Sequence, residues 1–294
     1  MSDSSETSPA TARPISTDTA QIVPPQVSNL ILWIAAVGFA LWGLAWIVLI
    51  PNHSSRLGWI LQTAGPLIIA AAIIMFTESL VKRVGPIVVF FAAVGAICAG
   101  LSTLFFAIDP TNLALEGHVR FGYGGYAVGA LFGAIALALV LVRKEHELSA
   151  AGPRAYPPCP IGCPCATIIH SSFVSIATGA AGLLIWGIGF TVHIVQPQGT
   201  SLGWVLSAIG VLLVGASFAL HTDHLSQRFG RAATFLGIVS LLAWVVGYFL
   251  EAINPNASPL SSWYSELFAS YAVGHLLSAL AIVMIIRHSA RLSK

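Results

Sequence analysis

The sequence predicts an all-α polytopic membrane protein, with eight transmembrane helices arranged as two parallel four-helix tandem repeats. Three observations lead there. Of 294 residues, 56% are hydrophobic and only 8% are charged, against about 25% charged in an ordinary soluble domain. Uncharged runs of about 20 residues recur, each long enough to cross a bilayer core of roughly 30 Å. The first half of the chain then matches the second at a constant offset. The mean hydropathy is +0.86, and a soluble fold of this size cannot hide that much apolar surface. Soluble enzymes, disordered regulators, coiled coils and nucleic-acid binders are excluded on this ground. The lipid bilayer is the expected partner.

Residues 1–28 are rich in Ser, Thr and Pro and read as a disordered tail. Eight apolar runs follow, at 30–50, 58–80, 85–108, 122–142, 172–195, 202–221, 231–252 and 268–287. Only helices and closed barrels satisfy their backbone in lipid. Barrel strands would alternate polar and apolar residues, and these runs do not. The first repeat spans 29–142, and residues 143–171 form a Cys- and Pro-containing linker. The second repeat spans 172–294.

The repeat is carried by rare residues as well as by hydropathy. Leu57-Gly58-Trp59 returns as Leu202-Gly203-Trp204, and Ala107-Ile108-Asp109-Pro110 as Ala252-Ile253-Asn254-Pro255. Tyr126-Ala127-Val128-Gly129 returns as Tyr271-Ala272-Val273-Gly274. From 57 to 143, 24 of 87 positions are identical at an offset of 145 without a gap. Upstream, Trp42-Gly43 matches Trp186-Gly187 at 144. Four spans per copy insert both copies the same way up, related by an axis along the membrane normal.

Orientation follows from Lys and Arg in short loops. Lys82, Arg83, Arg143, Lys144, Arg154, Arg228, Arg231, Arg287, Arg291 and Lys294 fall on one side, with only Arg56 and Arg120 on the other. The first side is therefore expected in the cytoplasm, with both termini, and the protein in the plasma membrane. The inner loops share an acidic-x-Leu-x-x-Arg-x-Gly frame, from Glu78 to Gly85 and from Asp223 to Gly230. Placing each acid at a helix C-terminus would oppose the helix dipole unless the Arg answers it. The frame resembles the inner-loop signature of major-facilitator transporters over about nine residues. It lacks that signature's acid before the Arg, and the span number differs.

Candidate chemistry concentrates in the second repeat. His193, Glu251 and His275 stand where the first copy has Leu49, Phe106 and Ala130. Ionisable groups within spans are costly and face a cavity or a partner. Two imidazoles and a carboxylate could hold a divalent metal or carry protons, and His193 with His275 could clamp a haem. The plainer alternative has His193 and Glu251 reaching to the interface and His275 bonded to a neighbouring helix. Asp109 and His118 form a second candidate pair on the outer side. In the linker, Cys159, Cys163, Cys165 and His170 offer four soft or borderline metal ligands.

The outer Asp109-Pro110 loop followed by His118, together with Pro51-Asn-His-Ser-Ser-Arg-Leu-Gly58, resembles an uncharacterised bacterial multipass membrane family. The resemblance covers the first four spans and, more faintly, the last four. Asn254 and Trp263 replace Asp109 and His118 in the second copy. The family implies no activity. Walker A, Gly-rich dinucleotide and His-Glu-x-x-His motifs are absent from the sequence. Three functions stay open: a carrier for a small molecule or ion with its pathway between the repeats, a structural subunit beside other membrane subunits, or a membrane-embedded metal or redox protein.

Overall fold

The computed structural model describes residues 29–110, 116–151, 164–196, 200–255 and 262–292. All regular structure among them is helical. Eight helices are long and apolar enough to cross a membrane, and the protein is an integral membrane protein. The spans are α1 (Asn29–Leu49), α2 (Arg56–Met75), the pair α4 (Pro86–Leu101) and α5 (Leu104–Ile108), and α6 (Glu116–Ala151). They continue with α7 (Pro164–Val195), α8 (Ser201–Ala219), α10 (Arg231–Ile253) and α11 (Ser262–Leu292). Helices α6 and α7 thus extend into both ends of the segment between the halves.

Two short helices, α3 (Thr77–Val84) and α9 (Thr222–Phe229), follow the second and sixth spans. The sequence reading ran the second span into the first residues of α3 and carried the sixth two residues past the end of α8, up to the start of α9. The structure ends α2 at Met75 and α8 at Ala219. Glu78 and Asp223 consequently sit in the first turns of new helices, where the dipole favours an acid. The expectation that they oppose a helix C-terminus is corrected. Gly85 and Gly230 end the short helices with φ of 94° and 91°. This backbone region is essentially glycine-only, and it lets Pro86 and Arg231 start the next spans at once.

Local signals set the other boundaries. Ser55 and Thr200 cap α2 and α8, their hydroxyls accepting from the amides of Gly58 and Leu202. The third span breaks at Ser102–Thr103, where the sequence predicted one helix. Ser102 Oγ donates to the Ala99 carbonyl at 2.6 Å, and Thr103 Oγ1 pairs with Thr63 Oγ1 of α2 at 2.9 Å. Such side-chain bonds compete with the helix ladder.

Each span packs against the spans before and after it, and α11 packs against α1, so the eight close into a ring. The outward surface is apolar, with Phe90, Phe235 and Ile87 more than 60% exposed, as contact with lipid requires. Eight spans among the described residues put the start of α1 and the end of α11 on one side. Toward that side the interior is filled by small residues, among them Ala70, Ala72, Ala134, Val211, Ala233 and Ala279. Glycines bring helices into close contact there: Gly38 meets Gly65, and Gly182 meets Gly210. Small residues are what allow helices to approach in lipid. Toward the opposite side the ring is wider and lined by aromatic rings.

Candidate functional site

The wide half of the ring encloses a cavity of about 510 Å³, within the range of small-molecule sites. Every one of the eight spans contributes to its wall. The rim includes His53 in the loop between α1 and α2, and Asn254 and Pro255 after α10. Asn254 is exposed, so the cavity meets the surface opposite the termini. On α11 the wall runs from Tyr264 to His275, a depth of about 17 Å at 1.5 Å per residue.

The wall is built of aromatic residues. Trp42, Trp46, Trp59, Trp186, Trp204 and Trp244 line it, with Tyr123, Tyr126, Tyr248, Tyr264 and Tyr271. These are six of the eight Trp and five of the six Tyr in the chain. Trp42, Trp244 and Trp186 form a layer at the deep end, with ring centroids 5.9 Å and 6.2 Å apart in succession. Trp186 Nε1 donates to Tyr248 Oη at 3.2 Å. Tyr248 stands edge-on to Tyr271 at 5.3 Å. Glycines give these rings room, since the Tyr271 ring rests on Gly247 and the Trp244 indole on Gly274.

Three of the sequence candidates face this cavity. His193 is 1% exposed and lies against Trp204 and Tyr123, at 4.0 Å and 4.9 Å between centroids. Its ring occupies the space left by the missing side chain of Gly203. His275 lies between Trp42 and Trp244 at 4.2 Å and 4.5 Å. Its Nδ1 is 2.6 Å from the carbonyl of Tyr271. A carbonyl can only accept, so Nδ1 carries the proton and Nε2 is left without a hydrogen-bond partner. That bond stays within its own helix and does not reach a neighbouring one. Glu251 is one turn beyond Tyr248 on α10, within electrostatic reach of Tyr123, Tyr248, Tyr264 and Tyr271. None of the three reaches out to the lipid interface.

His193 and His275 sit on different walls, each with its own pair of aromatic partners. Among the described residues, no three His, Cys, Asp or Glu side chains form a group that could hold a metal ion. His118 packs on Phe105 and Phe106, outside the cavity wall, and Asp109 ends α5. Neither lines the cavity. Cys159 and Cys163 lie outside the described residues, and so do the side chains of Cys165 and His170.

The polar atoms of the wall are short of partners. Among the described residues, ten buried side-chain nitrogens and oxygens on nine lining residues have no hydrogen-bond partner in good geometry. They include Glu251 Oε2, both amide atoms of Gln62, the Nε2 atoms of His53, His193 and His275, and the indole nitrogens of Trp42, Trp46 and Trp244. Gln62 is fully buried, and Tyr126 stands near it without a hydrogen bond in good geometry. Buried polar groups in native proteins are nearly always satisfied, and this concentration of unsatisfied ones lies along one cavity. Burial lowers the pKa of His53 below its ordinary value, which keeps the rim imidazole neutral at pH 7.

Sequence reasoning found His193, Glu251 and His275 and missed the rest of the lining: the aromatic wall, His53, Gln62 and Thr103. A signal for the wall was present. Aromatic belts normally mark both membrane interfaces, whereas here Trp and Tyr crowd toward one side. The chain matches no protein-family model, no curated protein and no solved structure.

Proposed function

We propose that the protein is carrier-like: it binds a small molecule in the central cavity and passes it along the axis between two four-helix repeats. The observation that carries this reading is the concentration of ten unpartnered buried polar atoms in one cavity lined by all eight spans. A scaffold subunit would gain stability from an apolar, filled core, because an unsatisfied buried polar group costs about 1–3 kcal/mol.

The repeat supports the same reading. Nine pairs of lining residues stand 144 or 145 positions apart, among them Trp42 and Trp186, Trp59 and Trp204, Phe106 and Glu251, and Tyr126 and Tyr271. The caps Ser55 and Thr200 and the turns Gly85 and Gly230 keep the same spacing. A cavity lined from equivalent positions of both copies lies on the axis relating them. Parallel-repeat transporters place their substrates at such an interface. With the Lys/Arg-rich side inside, the mouth at Asn254 faces outward, and the small-residue packing closes the path inward.

Thiol accessibility tests this without a known ligand. In a chain with Cys98, Cys159, Cys163 and Cys165 replaced by Ser, Phe106→Cys places one thiol on the cavity wall. A membrane-impermeant maleimide is added to intact cells and, separately, to inside-out vesicles. A carrier is expected to react from both faces, faster from outside. Reaction from outside alone would replace carriage with binding. No reaction from either face would leave the accessory-subunit reading.

A further inference from the structure

The geometry points to a bulky organic cation as the ligand class of the cavity, held by the Glu251 carboxylate within a box of aromatic faces. This deepens the reading above and rests on the cavity being a ligand site.

Charge is the first argument. Among the described residues, Glu251 is the only Asp, Glu, Lys or Arg on the wall. Its Oε2 is buried with no hydrogen bond in good geometry, although the Tyr271 hydroxyl stands near it. A carboxyl group held out of bulk water either keeps a proton or is answered by a cation, so a cation that enters the cavity can take the proton's place at Glu251. No Lys or Arg among the described residues lines the cavity to supply one. Arg56, on the same side, is engaged elsewhere, its Nη2 donating to the Ile108 carbonyl at 2.8 Å. The neutral His53 adds no positive charge at the rim.

The aromatic wall is the second argument. Cations are attracted to the faces of Trp and Tyr, and more so when desolvated. Tyr248 and Tyr271 are within electrostatic reach of Glu251, and Trp42, Trp186 and Trp244 form the layer at the deep end. Size is the third. A cavity of about 510 Å³ is far larger than an inorganic ion needs, and no cluster of metal-ligating side chains accompanies Glu251 among the described residues. The same volume suits a drug-sized molecule. Unpartnered indole N–H groups and the Gln62 amide remain for polar substituents on that molecule.

The first copy carries Phe106 where the second carries Glu251. One carboxylate per cavity gives a stoichiometry of one monovalent cation per chain.

Tetraphenylphosphonium and tetraphenylborate are nearly identical in shape and opposite in charge, and they separate charge recognition from hydrophobic fit. Equilibrium dialysis uses the full chain in lipid nanodiscs, with empty nanodiscs subtracted. The phosphonium is expected to bind saturably at one per chain, and the borate at least tenfold more weakly. Glu251→Gln is expected to weaken phosphonium binding at least tenfold without weakening the borate, and Glu251→Asp to retain most of it. Equal binding of the two ions, or phosphonium binding unchanged in Glu251→Gln, overturns the cation assignment and leaves the cavity as a ligand site. Absence of saturable phosphonium binding also overturns it, while the carrier reading is judged by thiol access, which needs no ligand. Should the glutamine variant fail to yield monodisperse protein, the comparison of the two ions on the native chain decides.

Discussion

Gln62 states the problem of this protein at the scale of one residue. Its side chain is fully buried, yet neither end of its amide is bonded within the protein. Replacing it with an apolar side chain of similar length removes an unsatisfied group, and such changes are neutral or stabilising. Gln62→Leu is therefore expected to raise the thermal stability of the ligand-free protein, by about 1 kcal/mol or less net of repacking. Stabilisation by a bound ligand is expected to shrink in the same variant. Melting curves with and without tetraphenylphosphonium read both effects, and a fall in ligand-free stability would count against the polar role. Residue type decided what was legible in the sequence here. His193, Glu251 and His275 stood out because ionisable groups are rare in spans. Trp42, Trp186 and Trp244 did not, because an indole counts as apolar while its N–H and its π face act as polar features. Which face of a helix is interior also depends on its neighbours, and hydropathy is blind to that in a helix apolar all round.

Helix boundaries separate at the scale of elements. The eight spans were legible because lipid demands long uninterrupted apolar helices, and their positions follow the sequence runs closely. The short helices α3 and α9 were not legible as helices of their own, since the apolar run gives way gradually around Thr77 and Thr222. The break in the third span was also hidden, because Ser102 and Thr103 interrupt hydropathy only slightly. Both tight turns depend on a backbone state that glycine alone adopts readily. Gly85→Ala and Gly230→Ala are each expected to destabilise the protein by about 1–3 kcal/mol. Gly230→Ala also meets the His288 ring at 3.2 Å, and Gly85→Ala meets Arg143 Nη1 at 3.0 Å. Thermal unfolding in detergent measures the loss, and an unchanged midpoint for both would remove the strain argument.

The whole molecule is a ring whose closure, α11 against α1, joins the ends of the chain. The ring's central space could not be read from the sequence, because it exists only when all eight helices are in place. Orientation rests on the charge bias and is testable. Alkaline phosphatase fused after Lys294 is expected to be inactive, and fused after Pro255 active; the reverse pattern would turn the cavity mouth inward. The depth of the cavity has an electrical consequence. A water-accessible cup that ends near mid-span at an indole layer does not divide the transmembrane voltage evenly. Most of the potential falls across the packed half beyond that layer, where a charge experiences about 2.3 kcal/mol per 100 mV for the full drop. An ion held at Glu251, near the mouth, would feel little of that field, whereas its passage beyond Trp42, Trp186 and Trp244 would feel nearly all of it. Equilibrium binding would then be almost insensitive to voltage, and the translocation step steeply dependent on it.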